Sequence, residues 1–304
     1  MAWSESDIPD LSDRTYVVTG ANSGIGWEAT RMFAAHGARV VMACRTVSKG
    51  EEAASRIRAL SPGARLEVMA LDLSDLDSVR AFAAGLRGVH PHIHAVINNA
   101  GVMAVPLART AQGFEMQLGT NHFGHFALTG LLFDALTPDA RVVTVSSGMH
   151  HIGSFDWTDL NWERGYGAWP AYGRSKLANL YFAFELDRRL KAAGSGIKSL
   201  SCHPGYASTN LQFVAPQQNK TMFGPAFWSV GNALFAQPAA WGALPTAFAT
   251  VSPTISGGEY VGPRLFQAWG APVVQATGAH ARDAEGWKKL WEASEKRTGV
   301  KFQL

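Results

Sequence analysis

From Thr15 to about residue 262 the chain alternates short apolar runs with longer stretches of helical periodicity, and few folds satisfy that rhythm. The apolar runs predict strands at Thr15–Thr19, Arg39–Ala43, Arg65–Leu71, Ala95–Asn98, Arg141–Ser146, Lys198–His203 and Glu259–Val261. Between most of them the spacing predicts helices: Ile25–His36, Ser48–Leu60, Leu76–Arg87, Phe114–Leu136 and Ala171–Ala193. A strand that returns to its sheet through a helix runs parallel to its predecessor, and helices then cover both faces. The expected architecture is α/β: one doubly wound domain over 12–262, with a parallel seven-stranded sheet and helices on both faces. Residues 263–304 read as an extension packed on that domain, a loop followed by a short helix at Ala284–Arg297.

One segment breaks the rhythm. Residues from Tyr206 to about Pro238 carry Phe213, Met222, Phe223, Phe227, Trp228 and Phe235 among Gly, Pro and Asn. The segment follows a strand end, where open α/β sheets place ligands, and reads as a substrate lid over about 206–238, with a surface excursion or an oligomer contact as the alternatives. Apolar residues make up 47% of the chain and charged residues only 17%, so part of the apolar surplus is expected at a ligand site or subunit contact, or in a large core. A net charge of +3 without a Lys/Arg run excludes nucleic acid as the expected partner. Two cysteines, Cys44 and Cys202, both in strand-like contexts, suggest a reducing, cytoplasmic setting, and no Cys/His spacing predicts a metal. The polar, acidic start MAWSESDIPDLSDR does not read as a secretory signal, and no run of 18 apolar residues predicts an integral membrane segment.

The first strand runs into Thr19-Gly20-Ala21-Asn22-Ser23-Gly24-Ile25-Gly26, and a helix follows. Glycines let the backbone turn tightly and approach a pyrophosphate, to which the helix N-terminus presents N–H groups and a positive dipole end. With a strand before it and a helix after it, the turn reads as a Rossmann-type dinucleotide site. At the end of the second strand, a carboxylate would select NAD by bonding the ribose 2′-hydroxyl. This chain has Cys44 and then Arg45, with Lys49 nearby and no carboxylate before Glu51, so NADP(H) is expected over NAD(H).

Tyr172 and Lys176 are four residues apart in a helical pattern and so share a helix face. A phenol alone is too weak an acid to lose its proton at neutral pH, and a nearby ammonium is expected to pull its pKa down. Ser146 and Ser147 end a strand, where a hydroxyl can stabilise charge developing on a substrate oxygen.

The TGxxxGxG turn, Asp72-Leu73, Asn98-Asn99-Ala100-Gly101, Asn121, Ser146-Ser147, Tyr172-Gly173-Arg174-Ser175-Lys176 and Pro204-Gly205 occur in order at successive strand ends over roughly residues 12–262. In this the chain resembles the short-chain dehydrogenase/reductase family. Ala43-Cys44-Arg45, Ser175-Lys176-Leu177-Ala178-Asn179 and the long stretch between Ser147 and Tyr172 resemble its retinol-dehydrogenase-like and protochlorophyllide-reductase-like subgroup.

The resemblance implies catalytic roles for Asn121, Ser147, Tyr172 and Lys176. It assigns the second serine, Ser147, rather than Ser146, and gives Asn121 a water in a proton relay with Lys176. It implies cofactor contacts by Gly20, Asn22, Ser23, Gly24, Ile25, Gly26, Arg45, Lys49, Asp72, Leu73, Asn98, Ala100, Gly101, Tyr172, Lys176, Pro204, Gly205 and Thr209, with Ser208 able to replace Thr209. Asp72 or Ser74 could instead cap the next helix, and Asn98 could hold neighbouring strands together. The implied activity is NADP(H)-dependent interconversion of a carbonyl and an alcohol, without a metal, with a homodimer or homotetramer as the assembly. The alternatives are reduction of an activated C=C bond, or NADP(H) binding without turnover. Trp157, Trp162 and Trp169 are expected to form, with the lid, an aromatic wall over the nicotinamide, for an apolar or planar small molecule such as a retinoid or steroid, or else to pack against the domain or a partner subunit. His150 and His151 read as loop residues at the substrate entrance.

Overall fold

The computed structural model describes residues 2–205 and 238–304. Strand β1 (Thr15–Thr19) leads to α1 (Gly24–Ala35), β2 (Arg39–Cys44), α2 (Val47–Leu60), β3 (Arg65–Ala70), α3 (Leu76–Val89) and β4 (Ile93–Asn98). Next come a one-turn helix α4 (Met116–Leu118), a π-helical turn Gly119–Phe123, and α5 (Gly124–Leu132). Strand β5 (Leu136–Val145), the long helix α6 (Ala168–Ala192) and β6 (Lys198–Cys202) complete the first described block. After residue 237 come the helix Ala239–Val251, β7 (Tyr260–Leu265), β8 (Trp269–Gln275) and the helix Ala284–Thr298.

The sheet order is β3-β2-β1-β4-β5-β6-β7-β8, parallel except for the β7–β8 pair. The order reverses between β1 and β4, which opens a crevice at the carboxyl edge. Alternate residues of the strands face opposite layers. Val18, Val40, Met42, Val143 and Leu200 pack under α1, α2 and the helix Ala239–Val251. Val17, Val41 and Val96 pack under α3, α5 and α6. Burying side chains such as Phe33 and Phe123 stabilises each layer by roughly 1.5–3 kcal/mol apiece.

Two expectations need correction. The sheet has eight strands rather than seven, because β8 folds back antiparallel on β7. The turn between them places Phe266 and Gln267 at φ 51° and 56°, a geometry that normally calls for Asn-Gly, so the sequence carried no hairpin signal. The helix expected at Phe114–Leu136 starts at Met116 and runs to Leu132 with a π turn inside it. Gly119 fits against Thr110, and Gly124 lets the backbone press on the carbonyl of Leu73. The π turn between them re-phases the helix, and Leu136 already belongs to β5. Beyond β8, the helix Ala284–Thr298 lies on α5 and α6, where Trp291 stacks on Phe182 and His122 meets Ser294 at 2.8 Å.

Candidate active site

The end of β1 and the start of α1 form the first wall. Gly20 and Gly24 sit at φ 66° and 55°, where a side chain would be strained. Ser23 is the N-cap of α1 but makes no side-chain cap, so the first-turn N–H groups and the positive dipole end face the strand edge. Asn22 and Ile25 are half-buried in this turn. Ala100 packs against Gly20 so closely that a β-carbon there would stand 3.1 Å from it.

Three residues to which the sequence reading gave no site role, Thr19, Asn99 and His125, hold this wall in place. The Thr19 hydroxyl accepts from the backbone N–H groups of Asn99 and Ala100, both at 2.9 Å. Asn99 Nδ2 donates to the Thr19 carbonyl at 2.7 Å. His125 completes the junction. Its Nδ1 faces the Asn121 carbonyl at 2.9 Å and must carry the proton, so Nε2 is left as the acceptor for the Thr19 hydroxyl at 2.9 Å. The repeated histidines in Asn121-His122-Phe123-Gly124-His125, on a buried apolar helix, were the available signal.

Arg45 and Lys49 are exposed at the end of β2 and the first turn of α2, with no carboxylate partner among the described residues. Cys44 lies beneath the turn, accepting from the backbone of Ala21 and Asn22, and burial pushes its thiol up to about 11. Asp72 bonds Ser74 through both backbone N–H and hydroxyl, at 2.9 and 2.6 Å, while the cap of α3 is Asp75 rather than Asp72 or Ser74. Leu73 is buried against Gly124. Asn98 is fully buried and donates to Thr129 and Thr144, so its side chain ties strands to α5 instead of facing the crevice. Gly101 abuts Asn121, where a β-carbon would come within 2.9 Å of Oδ1. Gly205, at φ 68°, is pressed against Ala268 and Pro263 of the β7–β8 hairpin, next to Pro204. Thr209, Ser208 and the expected lid up to residue 237 lie outside the described residues.

The second wall comes from β5 and α6. Ser147 caps the short 3-10 turn Gly148–Ile152, accepting from Met149 N–H at 3.2 Å, and it hydrogen-bonds Tyr172. Because the Ser147 oxygen accepts from Met149, its own proton stays available to donate. Ser146 is spent elsewhere, donating to the Lys176 carbonyl at 2.8 Å. Lys176 Nζ lies 5.6 Å from the Tyr172 ring centre and donates to the Val145 carbonyl at 3.1 Å.

The expected pKa of Tyr172 needs correction. Burial pushes the phenol up to about 12, and the bond from Ser147 offsets this only in part. Burial also pulls Lys176 down to about 8. Desolvation is the dominant cause of both shifts. Asn121 lies in the π turn with its side-chain amide engaged on both sides. Its Oδ1 accepts from Val102 N–H, and its Nδ2 donates to the Val102 carbonyl and the Ser175 hydroxyl, at 2.8–2.9 Å. Its side chain clamps the β4 loop to α6.

The aromatic wall is not assembled as expected. Trp157 stacks on Phe155 at 4.6 Å and borders a surface depression with Leu160, Lys289 and Lys296. Trp162 lies under the Arg174 guanidinium at 3.8 Å. Only Trp169 reaches Tyr172, edge-on at 6.3 Å. His150 is buried rather than a loop residue. It packs edge-on against Tyr260 and bonds the Ser147 carbonyl at 2.7 Å, whereas His151 is exposed.

The two walls share the carboxyl edge of the sheet, two strands apart, at about 5 Å per strand. One offers an uncapped helix start behind a glycine turn; the other offers a phenol, a hydroxyl and a buried amine without a carboxylate. That donor set fits a dinucleotide, whose phosphates the start of α1 would hold and whose ribose hydroxyls would lie within reach of Lys176. Among the described residues no group of three or more His, Cys, Asp or Glu is placed to hold a metal, and no helix is long and apolar enough to cross a membrane.

The short chain dehydrogenase family model matches residues 14–220. The chain belongs to that family. It is 49% identical to human retinol dehydrogenase 11 over 203 residues, which cover 66% of this chain and 63% of that protein. Human retinol dehydrogenase 13 is 39% identical over 306 residues, covering 98% of this chain and 87% of the relative. The crystal structure of an uncharacterized protein from Mycobacterium Paratuberculosis superposes with a TM-score of 0.83 at 44% identity over 100% of both chains. Within the short chain dehydrogenases, the chain is thus retinol-dehydrogenase-like.

Proposed function

We propose that this chain is an NADP(H)-dependent oxidoreductase that interconverts a carbonyl and an alcohol on an apolar or aromatic small molecule, chiefly by carbonyl reduction. The observation that carries the reading is the meeting of Ser147, Tyr172 and Lys176 on the same sheet edge as the uncapped start of α1, two strands away. Arg45 and Lys49, exposed and without acidic partners among the described residues, suit a 2′-phosphate and set the preference for NADP(H). A bound dihydronicotinamide supplies the hydride. Tyr172, a protonated phenol in this buried setting, gives its proton to the substrate oxygen. Ser147 directs its hydroxyl proton at the same oxygen and stabilises the charge that develops there. Lys176 would hold the ribose hydroxyls, and its ammonium gives a proton that restores the Tyr172 phenol after the tyrosine has protonated the substrate. Asn121 takes part by fixing the β4 loop against α6. The names of the matched relatives make a retinoid the first substrate to try.

The test is a panel of carbonyls and alcohols assayed with NADPH/NADP⁺ and with NADH/NAD⁺, for the unaltered chain and for Tyr172→Phe. The phenylalanine variant should lose on the order of 10²–10⁴-fold in kcat while still binding NADPH. Near-normal turnover by that variant would sink the reading, and a product that keeps its carbonyl would mark alkene reduction instead.

A further inference from the structure

The turn between Ser147 and the helix of Tyr172 is built around a buried imidazole. Ser147 lies just past the end of β5, in extended backbone at φ −160° and ψ 156°, and caps the 3-10 turn Gly148–Ile152. The next residue is an exposed glycine, where a β-carbon would meet nothing within 4 Å, so packing does not fix the Ser147–Gly148 peptide. His150 fixes it instead. Its backbone N–H donates to the Ser147 carbonyl at 3.0 Å, and its ring Nδ1 lies 2.7 Å from the same oxygen. A carbonyl only accepts, so Nδ1 carries the ring proton and donates it.

The ring is held from several sides. His150 is 0% exposed and packs edge-on against Tyr260, with the centroids 5.7 Å apart. The exposed His151 ring covers it at 4.0 Å. The His150 carbonyl accepts the Gly153 N–H at 3.0 Å and faces His280 Nε2 of the C-terminal extension at 2.8 Å. The turn also rests on α6: a β-carbon on Gly173, the neighbour of Tyr172, would stand 2.9 Å from the Met149 carbonyl oxygen. One feature of the ring is unfavourable. Burial pulls its pKa down to about 4, so Nε2 stays an unprotonated acceptor, and it has no hydrogen-bond partner among the described residues. A phenylalanine would fill the same space without leaving a buried nitrogen unbonded. What the imidazole adds over a phenyl ring is the Nδ1 proton on the Ser147 carbonyl.

We propose that His150 is a positioning residue: its Nδ1–H fixes the Ser147–Gly148 peptide and thereby aims the Ser147 hydroxyl at the substrate oxygen. The role rests on the carbonyl–alcohol reading above. Ser147 hydrogen-bonds Tyr172, so a shift in its backbone disturbs both groups that meet that oxygen. Displacements of about 1 Å in such a group can cost on the order of 100-fold in rate. His150 acts through Ser147 and exchanges no proton with the substrate. His280 lies beyond residues 14–220, the stretch that matches the family model, and it holds the carbonyl of the same histidine. The C-terminal extension therefore reaches the site through His150.

Two substitutions in the full chain separate positioning from packing. His150→Phe keeps a ring of similar size and loses the donor. His150→Asn loses the ring, but its Nδ2 can donate where Nδ1 stood. His150→Phe should lose on the order of tenfold in kcat, with its melting temperature and its Kd for NADPH close to those of the unaltered chain. His150→Asn should melt lower yet keep a kcat nearer the unaltered value. Activity and stability then rank the two variants in opposite orders. A kcat that follows the melting temperature, or an undiminished kcat in His150→Phe, overturns the proposal. If His150→Asn does not fold, His150→Phe decides alone. A crystal structure of the unaltered chain needs no variant: the Ser147 carbonyl should lie within hydrogen-bond distance of His150 Nδ1, and a carbonyl turned away also overturns the proposal. If the unaltered chain turns over neither carbonyls nor alcohols, the function reading fails, and the catalytic role of His150 falls with it. An active unaltered chain beside an equally active His150→Phe counts against His150 alone.

Discussion

The carbonyl oxygen of Gly20 lies well inside 3.0 Å of the point that a β-carbon on Gly26 would occupy, and Asn99 Nδ2 crowds the same point. The start of α1 therefore rests directly on the end of β1, and the width of the glycine turn depends on that contact. Gly26→Ala should push α1 off the strand. We expect a loss of about 1–3 kcal/mol in stability, together with weaker NADPH binding, measured by denaturant unfolding and fluorescence titration. Gly63→Ala, where a β-carbon meets nothing within 4 Å, is the matched control and should be close to neutral.

Cofactor choice is expected to turn on Arg45. Replacing it by Asp puts a carboxylate where a 2′-phosphate would lie and supplies an acceptor for a 2′-hydroxyl. Arg45→Asp should raise the Kd for NADPH much more than that for NADH, on the order of tenfold or more in the ratio. Equal losses for both, in parallel titrations, would remove Arg45 from the cofactor site.

The pH dependence should follow Lys176. Burial pulls its pKa down to about 8, so the ammonium persists below that pH and is lost above it. Reduction needs the protonated form, so kcat/KM for reduction should be flat below about 8 and decline above it, while oxidation gains in the same range. A pH–rate profile in both directions checks this, and Lys176→Met should abolish the limb along with most of the activity.

Acid stability should follow His122 and His125, both fully buried and uncharged. Burial lowers them to about 3 and about 4, against 6.5 for a free imidazole. The unfolded chain takes up protons first, so folding stability is complete above about 6.5 and declines as pH falls through the interval down to about 4. Each histidine adds up to about 1.4 kcal/mol per pH unit to that decline. Urea unfolding at pH 7, 6 and 5 should show the slope, and His122→Phe should reduce it. A pH-independent midpoint over this range would contradict the buried, neutral assignment.

The alternation of apolar runs and helices by itself determined the doubly wound order, because each strand–helix unit buries its own apolar stripe against its neighbours. The glycine turn was legible for a local reason: Gly20 and Gly24 adopt φ values that other residues resist. The i, i+4 spacing placed Tyr172 and Lys176 on one face of α6. Tertiary structure decided the rest. The eighth strand was hidden because its hairpin turns at Phe266-Gln267, and only pairing with β7 makes Trp269–Gln275 a strand. Tyr172 lies above the ordinary phenol pKa rather than below it, because desolvation depends on everything packed around the ring and not on the lysine four residues away. The contacts of Asn121 were likewise set by what its amide meets across the fold, Val102 and Ser175. Periodicity and turn chemistry are properties of neighbours in the chain, whereas burial and hydrogen-bond partnership are properties of neighbours in space.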